Sequence, residues 1–299
     1  MIADFFLHLK NDKNLSISTI KGYRAALNST FLHTSHADII DNPVIIQMIK
    51  ALENQPKPQK EYTEWDLTFV LMALARPPFE PLKKASIMDL TLKTFFLLLL
   101  ASGRRRFELL AIDIDRTEIK QNGHDLFLYP NRAFVPKTSS ALESTGKTFS
   151  PIHLPSLSYG LDKNDPDTYW CPVRAYHCYI KRTKDFRRNR RQLFIPTQKE
   201  RLTNLKINSL TGWTKKLITK IYQETDPELK HSYNITPHKI RSLAASLAES
   251  NGISMEEILK IGTWTNHTTF TSFYLKDVTV MRKNLMALNH LVIGQHRFN

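Results

Sequence analysis

The segment ITPHKIRSLAASLAE, 235–249, opens with a histidine and an arginine three positions apart and then turns small and apolar. At i and i+3 of a helix, His238 and Arg241 share one face. Thr236 and Pro237 read as a helix start, and Leu243, Ala244, Leu247 and Ala248 supply a core-facing stripe behind them. A cationic pair fixed at the start of a buried helix suits an anion. A second pair at the same spacing, Arg105 and Glu108, lies in ASGRRRFELLAI, where the carboxylate can orient the guanidinium. The three consecutive arginines of that segment follow a Leu-rich helix and cannot all be buried. Downstream, KIGTWTNHTTFTSFYLKDV presents Trp264 and, ten residues on, Tyr274. Taken singly, each reads as a core aromatic.

Charge narrows the choice of anion. The chain of 299 residues carries 42 Lys and Arg against 28 Asp and Glu, a formal charge of +14. That balance favours partners bearing phosphate. The excess concentrates in 171–220, where 14 Lys and Arg face only Asp185 and Glu200. There IKRTKDFRRNRRQLF interleaves cations with Phe186 and Phe194, so Lys181, Arg182, Arg187, Arg188, Arg190 and Arg191 are expected to face nucleic acid. The same run fits a nuclear address. Cys171 and Cys178, seven apart, are too distant on a helix for a disulfide and read as the thiols of a reducing compartment. The longest apolar run, FFLLLLA, is too short to span a bilayer. With no signal-peptide pattern, a soluble intracellular protein without a membrane partner is expected.

The positioning elements read as mainly α. LSISTIKGYRAALNSTFL is a helix capped by Ser16 or Ser18, with Ile20, Tyr23, Leu27 and Phe31 at helical spacing, and NPVIIQMIKALEN is another. NQPKPQKEYTE, 54–64, reads as a linker, giving a helical domain over 1–53 and a larger one over 65–299. In the larger domain EWDLTFVLMALA and SIMDLTLKTFFLLLLAS are helices, the second ended by Gly103. DLFLYP, RAFVPKTSS and TFSPIHLP then read as a small antiparallel sheet. Helices resume from PDTYWCPVRAYHCYIKRT, interrupted by QLFIP. SMEEILKIG is a short helix capped by Ser254 and stopped by Gly262.

The order of these pieces resembles the tyrosine recombinase (phage integrase) superfamily. GRRRFELLAI looks like its Gly-x-Arg-x-x-Glu-Leu box, HKIR like its His-x-x-Arg box, and GTWTNHTTFTSFY like its final box, with Trp in place of the commoner His. The interval from Trp264 to Tyr274 is one residue longer than the family's commonest spacing. STIKGYRAAL resembles the helical core-binding domain, in a shortened form. Other segments resemble recombinase-like proteins of animal mobile elements, so the likeness spans essentially the whole chain.

The resemblance implies a helical core-binding-like domain followed by a catalytic domain that breaks and rejoins double-stranded DNA through a 3′-phosphotyrosyl intermediate. Tyr274 would be the nucleophile. Arg105 and Arg241 would clamp the scissile phosphate, aided by His238 and Trp264. A hairpin lysine, Lys137 or its rival Lys147, would protonate the leaving 5′-hydroxyl, and Glu108 would support the site. No metal or other cofactor is implied. The tail after Tyr274 carries an apolar stripe (Val280, Leu285, Leu288, Leu291) suited to docking on a second copy. Type IB topoisomerases share this chemistry. A catalytically silent DNA-binding protein derived from a mobile element would share the fold.

Overall fold

Side-chain caps open the helices where the sequence places Ser, Asp and Asn. In the computed structural model, which describes residues 2–31, 42–54, 65–120, 124–136, 150–157, 162, 165–198, 203–225, 235 and 237–263, the chain divides into two compact units, Met1–Glu61 and Tyr62–Asn299. The expected linker, 54–64, lies outside these residues apart from Asn54. The first unit holds α1 (Ile2–Asn11), α2 (Ile17–Phe31) and α3 (Pro43–Glu53). Ser16 Oγ accepts from Thr19 N at 3.1 Å, which settles the cap of α2, and Asn42 caps α3 ahead of Pro43. The core is Phe6, Leu9, Ile20, Ile45 and Ile49. Tyr23, expected in the stripe, is exposed and meets Phe5 edge-on.

The second unit contains α4 (Leu67–Leu74), α5 (Ile87–Ser102), α6 (Arg106–Leu110), β1 (Glu118–Lys120), β2 (Asp125–Leu128), β3 (Ile152–Pro155), α7 (Pro172–Arg187), α8 (Ile207–Thr225), α9 (Pro237–Ser250) and α10 (Met255–Gly262). It is built around α5. Every residue from Asp89 to Leu100 of that helix is buried, and α7, α8, α9 and β3 pack on it. Each Leu or Phe buried there contributes roughly 1.5–3 kcal/mol. Ser86 caps the helix start. Gly103, at φ 58°, closes its end by donating to Leu99 O, a conformation that costs glycine little.

The sheet is antiparallel in the order β1-β2-β3, with Phe127 opposite Glu118 on one side and His153 on the other. Leu126, Leu128, Ile152 and Leu154 face the core. Two features differ from the sequence reading. Strand β1 was not expected, because its three residues are all exposed and carry no alternation. The expected strand over RAFVPKTSS is a turn and irregular chain where described. There Asn131 N is held by Ala111 O, Phe134 N folds back onto Asn131 O, and Pro130 and Pro136 lack the N–H a ladder needs.

One lysine breaks the apolar character of α5. Lys93 Nζ is sealed from solvent, 2.5 Å from Glu80 Oε1 and 2.7 Å from Leu74 O. Arg174, on α7, grips the same carboxylate with both terminal nitrogens at 2.7 and 3.0 Å. Burial pushes Lys93 down to about 8 against the pull of Glu80. Burial by itself would raise Glu80, but the hydrogen bonds and charges of Arg174 and Lys93 outweigh it and hold the carboxyl below its ordinary value. This triad ties α4, α5, α7 and the 75–86 connection together. Glu80→Gln leaves Lys93 buried without a counter-ion and is expected to cost about 3–5 kcal/mol in urea unfolding. Lys21→Ala, which removes the exposed pair with Glu53, is expected to cost under about 1 kcal/mol. Equal losses would contradict this ranking.

Candidate active site

Chain direction at the end of α5 sets the site. After Gly103 the backbone is extended at Arg105 (φ −75°, ψ 146°), the residue preceding α6. Arg104 therefore points inward. It is 3% exposed, donates from Nη2 to Ser150 O at 3.1 Å, and lies 3.8 Å from Glu108 Oε2, an ion pair too long for a hydrogen bond. Burial lowers it to about 10, and Glu108 opposes that shift. Arg106 is half-buried. Of the three arginines, one is thus a core cation.

Arg105 turns the other way, toward the end of α10. Its Nη1 donates to Glu108 Oε1 at 3.1 Å, to Thr263 Oγ1 at 3.2 Å and to Thr263 O at 3.5 Å. Glu108 is fully buried, and its Oε1 also accepts from Thr263 Oγ1 at 3.4 Å. Every hydrogen bond of Arg105 among the described residues uses Nη1, which leaves Nη2 and Nε for an anion. The side chain is 14% exposed, so an anion there would be held with little competing water.

Arg241 arrives at the same corner from α9. Its guanidinium is 1% exposed and donates from Nη2 to Gly262 O at 2.6 Å. Two of the arginines singled out in the sequence, far apart along the chain, thus both bond the Gly262–Thr263 corner. His238, at the first turn of α9, is exposed while Arg241 is buried, so the pair does not share one environment. Lys137, its rival Lys147, Trp264 and Tyr274 lie outside the described residues. The corner continues directly into Trp264.

Gly262 does not stop α10, as its place in the sequence suggests. It is the last helical residue, and Thr263 takes the left-handed cap position at φ 56°. Sequence reasoning missed Thr263 as a site residue. Its only signal was its place between the glycine and Trp264.

The basic run of α7 and the segment after it divides in two. Arg187, expected to face nucleic acid, is 4% exposed. It donates to Gln192 O at 2.6 Å, Leu193 O at 2.9 Å and Thr183 Oγ1 at 2.9 Å, with Tyr179 beneath its guanidinium. Its place in the core corrects that expectation: there it bridges the carbonyls of Gln192 and Leu193 and the Thr183 hydroxyl. Arg182 is half-buried and donates to Leu82 O and Ala85 O. Arg191 is exposed but held by Asp113 and Asp115, both at 2.9 Å. Hydrogen bonding to Asp113 raises it above its ordinary value. Lys181 and Arg188 are exposed and Arg190 is half-buried. Arg190 and Arg191 line a cleft of about 960 Å³ with Arg116 and Arg132. No group of three or more His, Cys, Asp or Glu among the described residues could hold a metal. No helix among them is long and apolar enough to cross a membrane.

The solved structures that this fold resembles include a transposon integrase and a site-specific recombinase. The chain is similar to the integrase of the Tn1549 transposon in complex with transposon right end DNA, at 17% identity and a TM-score of 0.55, over 95% of this chain and 82% of that one. The same integrase with circular intermediate DNA matches at 13% identity and 0.53, over 94% and 82%. The XerH site-specific recombinase bound to its difH substrate matches at 12% identity and 0.50, over 94% and 68%. No family model and no curated protein matches the sequence. The chain has the tyrosine-recombinase fold, mainly helical with a small antiparallel sheet, spanning both the core-binding and the catalytic parts.

Arg187→Ala, by orphaning buried carbonyls, is expected to lower unfolding free energy by about 1–3 kcal/mol. Arg188→Ala, at an exposed position, is expected to change it by less than about 0.5 kcal/mol. Denaturant titration of the two variants checks the division, and a silent Arg187→Ala would contradict it.

Proposed function

We propose that this protein cleaves and rejoins double-stranded DNA through a covalent 3′-phosphotyrosyl intermediate, as a site-specific recombinase or integrase. The observation that carries the reading is the convergence of Arg105 and Arg241 on the corner that leads into Trp264. Planar, permanently charged guanidinium groups match the non-bridging oxygens of a phosphodiester, and their charge matters most as negative charge grows there. The hydroxyl of Tyr274 attacks phosphorus, and the bond to the 5′-oxygen breaks. That oxygen takes a proton from Lys137, or from Lys147. His238 and the indole N–H of Trp264 add hydrogen bonds to the phosphate, and His238 takes the proton that the Tyr274 hydroxyl gives up. Glu108 holds Arg105 and does not react. The two arginines supply the electrostatic stabilisation that a divalent ion gives other phosphoryl-transfer enzymes.

The resembling structures are DNA complexes by name, and the net charge of +14 suits such a partner. On this reading residues 1–53 form a core-binding-like domain, 54–64 a linker and 65–299 the catalytic domain, each meeting duplex DNA. The tail after Tyr274 docks on a second copy on DNA. The basic run 181–191 serves as a nuclear address.

Incubation with a pool of nicked random-sequence duplexes, followed by denaturing gels, tests the chemistry. The protein is expected to form a covalent adduct and Tyr274→Phe none; adduct persisting in that variant would move the nucleophile elsewhere. Arg105→Ala and Arg241→Ala should each slow adduct formation by roughly 10²–10³.

Lys181, Arg188 and Arg190 are the cations of the basic run proposed to meet phosphate. Replacing them with alanine is expected to weaken binding to any duplex. The slope of log K on log salt should also flatten, by roughly 0.9 for each phosphate no longer neutralised. An unaltered slope places the DNA elsewhere on the surface.

A further inference from the structure

Thr263 breaks a local rule. A β-branched residue in the left-handed region crowds its own Cβ, and glycine is the ordinary occupant of that helix-end position. Here a glycine is adjacent, at 262, yet stays in the helix while Thr263 takes φ 56°. Such strain persists where the side chain does something glycine cannot.

What the side chain does is visible in its bonds. Thr263 Oγ1 lies 2.7 Å from Gly262 O, 3.2 Å from Arg105 Nη1 and 3.4 Å from Glu108 Oε1. The hydroxyl has one proton to share between two acceptors, and it accepts from the guanidinium. It thereby fastens the end of α10 to the start of α6. Gly262 O, one of its two acceptors, is also the carbonyl that Arg241 Nη2 grips. One hydroxyl therefore touches both the group that orients Arg105 and the carbonyl that receives Arg241.

We propose that Thr263 is a positioning residue whose hydroxyl fixes the Arg105 guanidinium against Glu108 and α10, at a conformational cost to the fold. The inference rests on the phosphotyrosyl reading for its catalytic consequence only. The geometric consequence stands by itself: without the hydroxyl, Nη1 keeps, among the described residues, Glu108 and the residue-263 carbonyl at 3.5 Å, and the guanidinium turns more freely.

Stability and activity should then move in opposite directions. Thr263→Gly relieves the strain and removes the hydroxyl. Its Tm is expected to rise by about 2–4 °C. Adduct formation at saturating duplex is expected to slow roughly tenfold to a hundredfold, because a small misplacement of a clamping group is costly. Affinity for duplex should stay unchanged, since phosphates elsewhere carry it. Thr263→Ser keeps the hydroxyl and should restore the rate. A threonine with a purely structural role predicts a rate that does not fall in the glycine variant, and that result overturns the proposal. Nitrogen-15 NMR of the Arg105 guanidinium in the full chain gives the arm that needs no chemistry. Rotation about Nε–Cζ should be faster in Thr263→Gly than in the native protein and slow again in Thr263→Ser. Equal rotation in all three overturns the proposal whether or not an adduct forms. A native protein that forms no adduct on any duplex, yet shows the rotation difference, overturns the phosphotyrosyl reading and leaves the positioning role standing.

Discussion

A carboxylate sealed from water must be met by positive charge, and Glu108 is such a carboxylate. Its two oxygens face Arg104 and Arg105, consecutive residues in extended chain whose side chains leave in different directions. One locks the start of α6 to the carbonyls that precede β3. The other is delivered to the end of α10. Gly103 makes this possible by ending α5 in a conformation that costs glycine little and other residues more. Helix α5, buried from Asp89 to Leu100, thus runs directly into the candidate site, and its packing is passed on through a single buried acid. Arg241 meets the corner from α9, which itself packs on α5. Arg105 and Arg241 are therefore both referenced to one helix.

Many cations of this protein are held within the fold rather than at its surface. Lys93, Arg104, Arg187 and Arg241 are inside, each answered by carboxylates or by carbonyls of the chain. Arg174 and Lys220 are tied to Glu80 and Asp89 from the half-buried zone. Removing one partner of such a pair strands a charge in low dielectric, which costs far more than losing an exposed pair. Arg187, buried and answered by carbonyls rather than by a carboxylate, is a cation that the formal charge of +14 counts but the surface does not present. Within α7, Lys181 and Lys184 are exposed while Arg187 is buried, since a helix turns its side chains in and out every 3.6 positions.

Most of the helices were legible because caps and apolar spacing agree: Ser16 and Ser254 both accept the N–H that the sequence pattern implies. Arg105, Glu108 and Arg241, singled out in the sequence, do come together at the Gly262–Thr263 corner. Other features lacked a local signal. Strand β1 is short and wholly exposed, so its pairing with β2 leaves no trace in its composition. The fate of Arg187 depends on the carbonyls of Gln192 and Leu193, which reach it only after the chain turns back at Arg188 (φ 52°). Thr263 was passed over because a neighbouring glycine offered the simpler helix end. Its role is set by Arg105 and Glu108, over 150 positions earlier in the chain.

The central claim is that Arg105 and Arg241 act on the charge of one phosphate. A duplex with a neutral methylphosphonate at the scissile position, chosen from the adducts the native protein forms, isolates that charge. On the ordinary phosphodiester, either alanine variant should suffer roughly a 10²–10³ loss in cleavage. On the methylphosphonate most of that loss should vanish, because the charge to be neutralised is gone. A loss that stays undiminished on the neutral substrate would contradict the account and leave the two arginines as props of the fold.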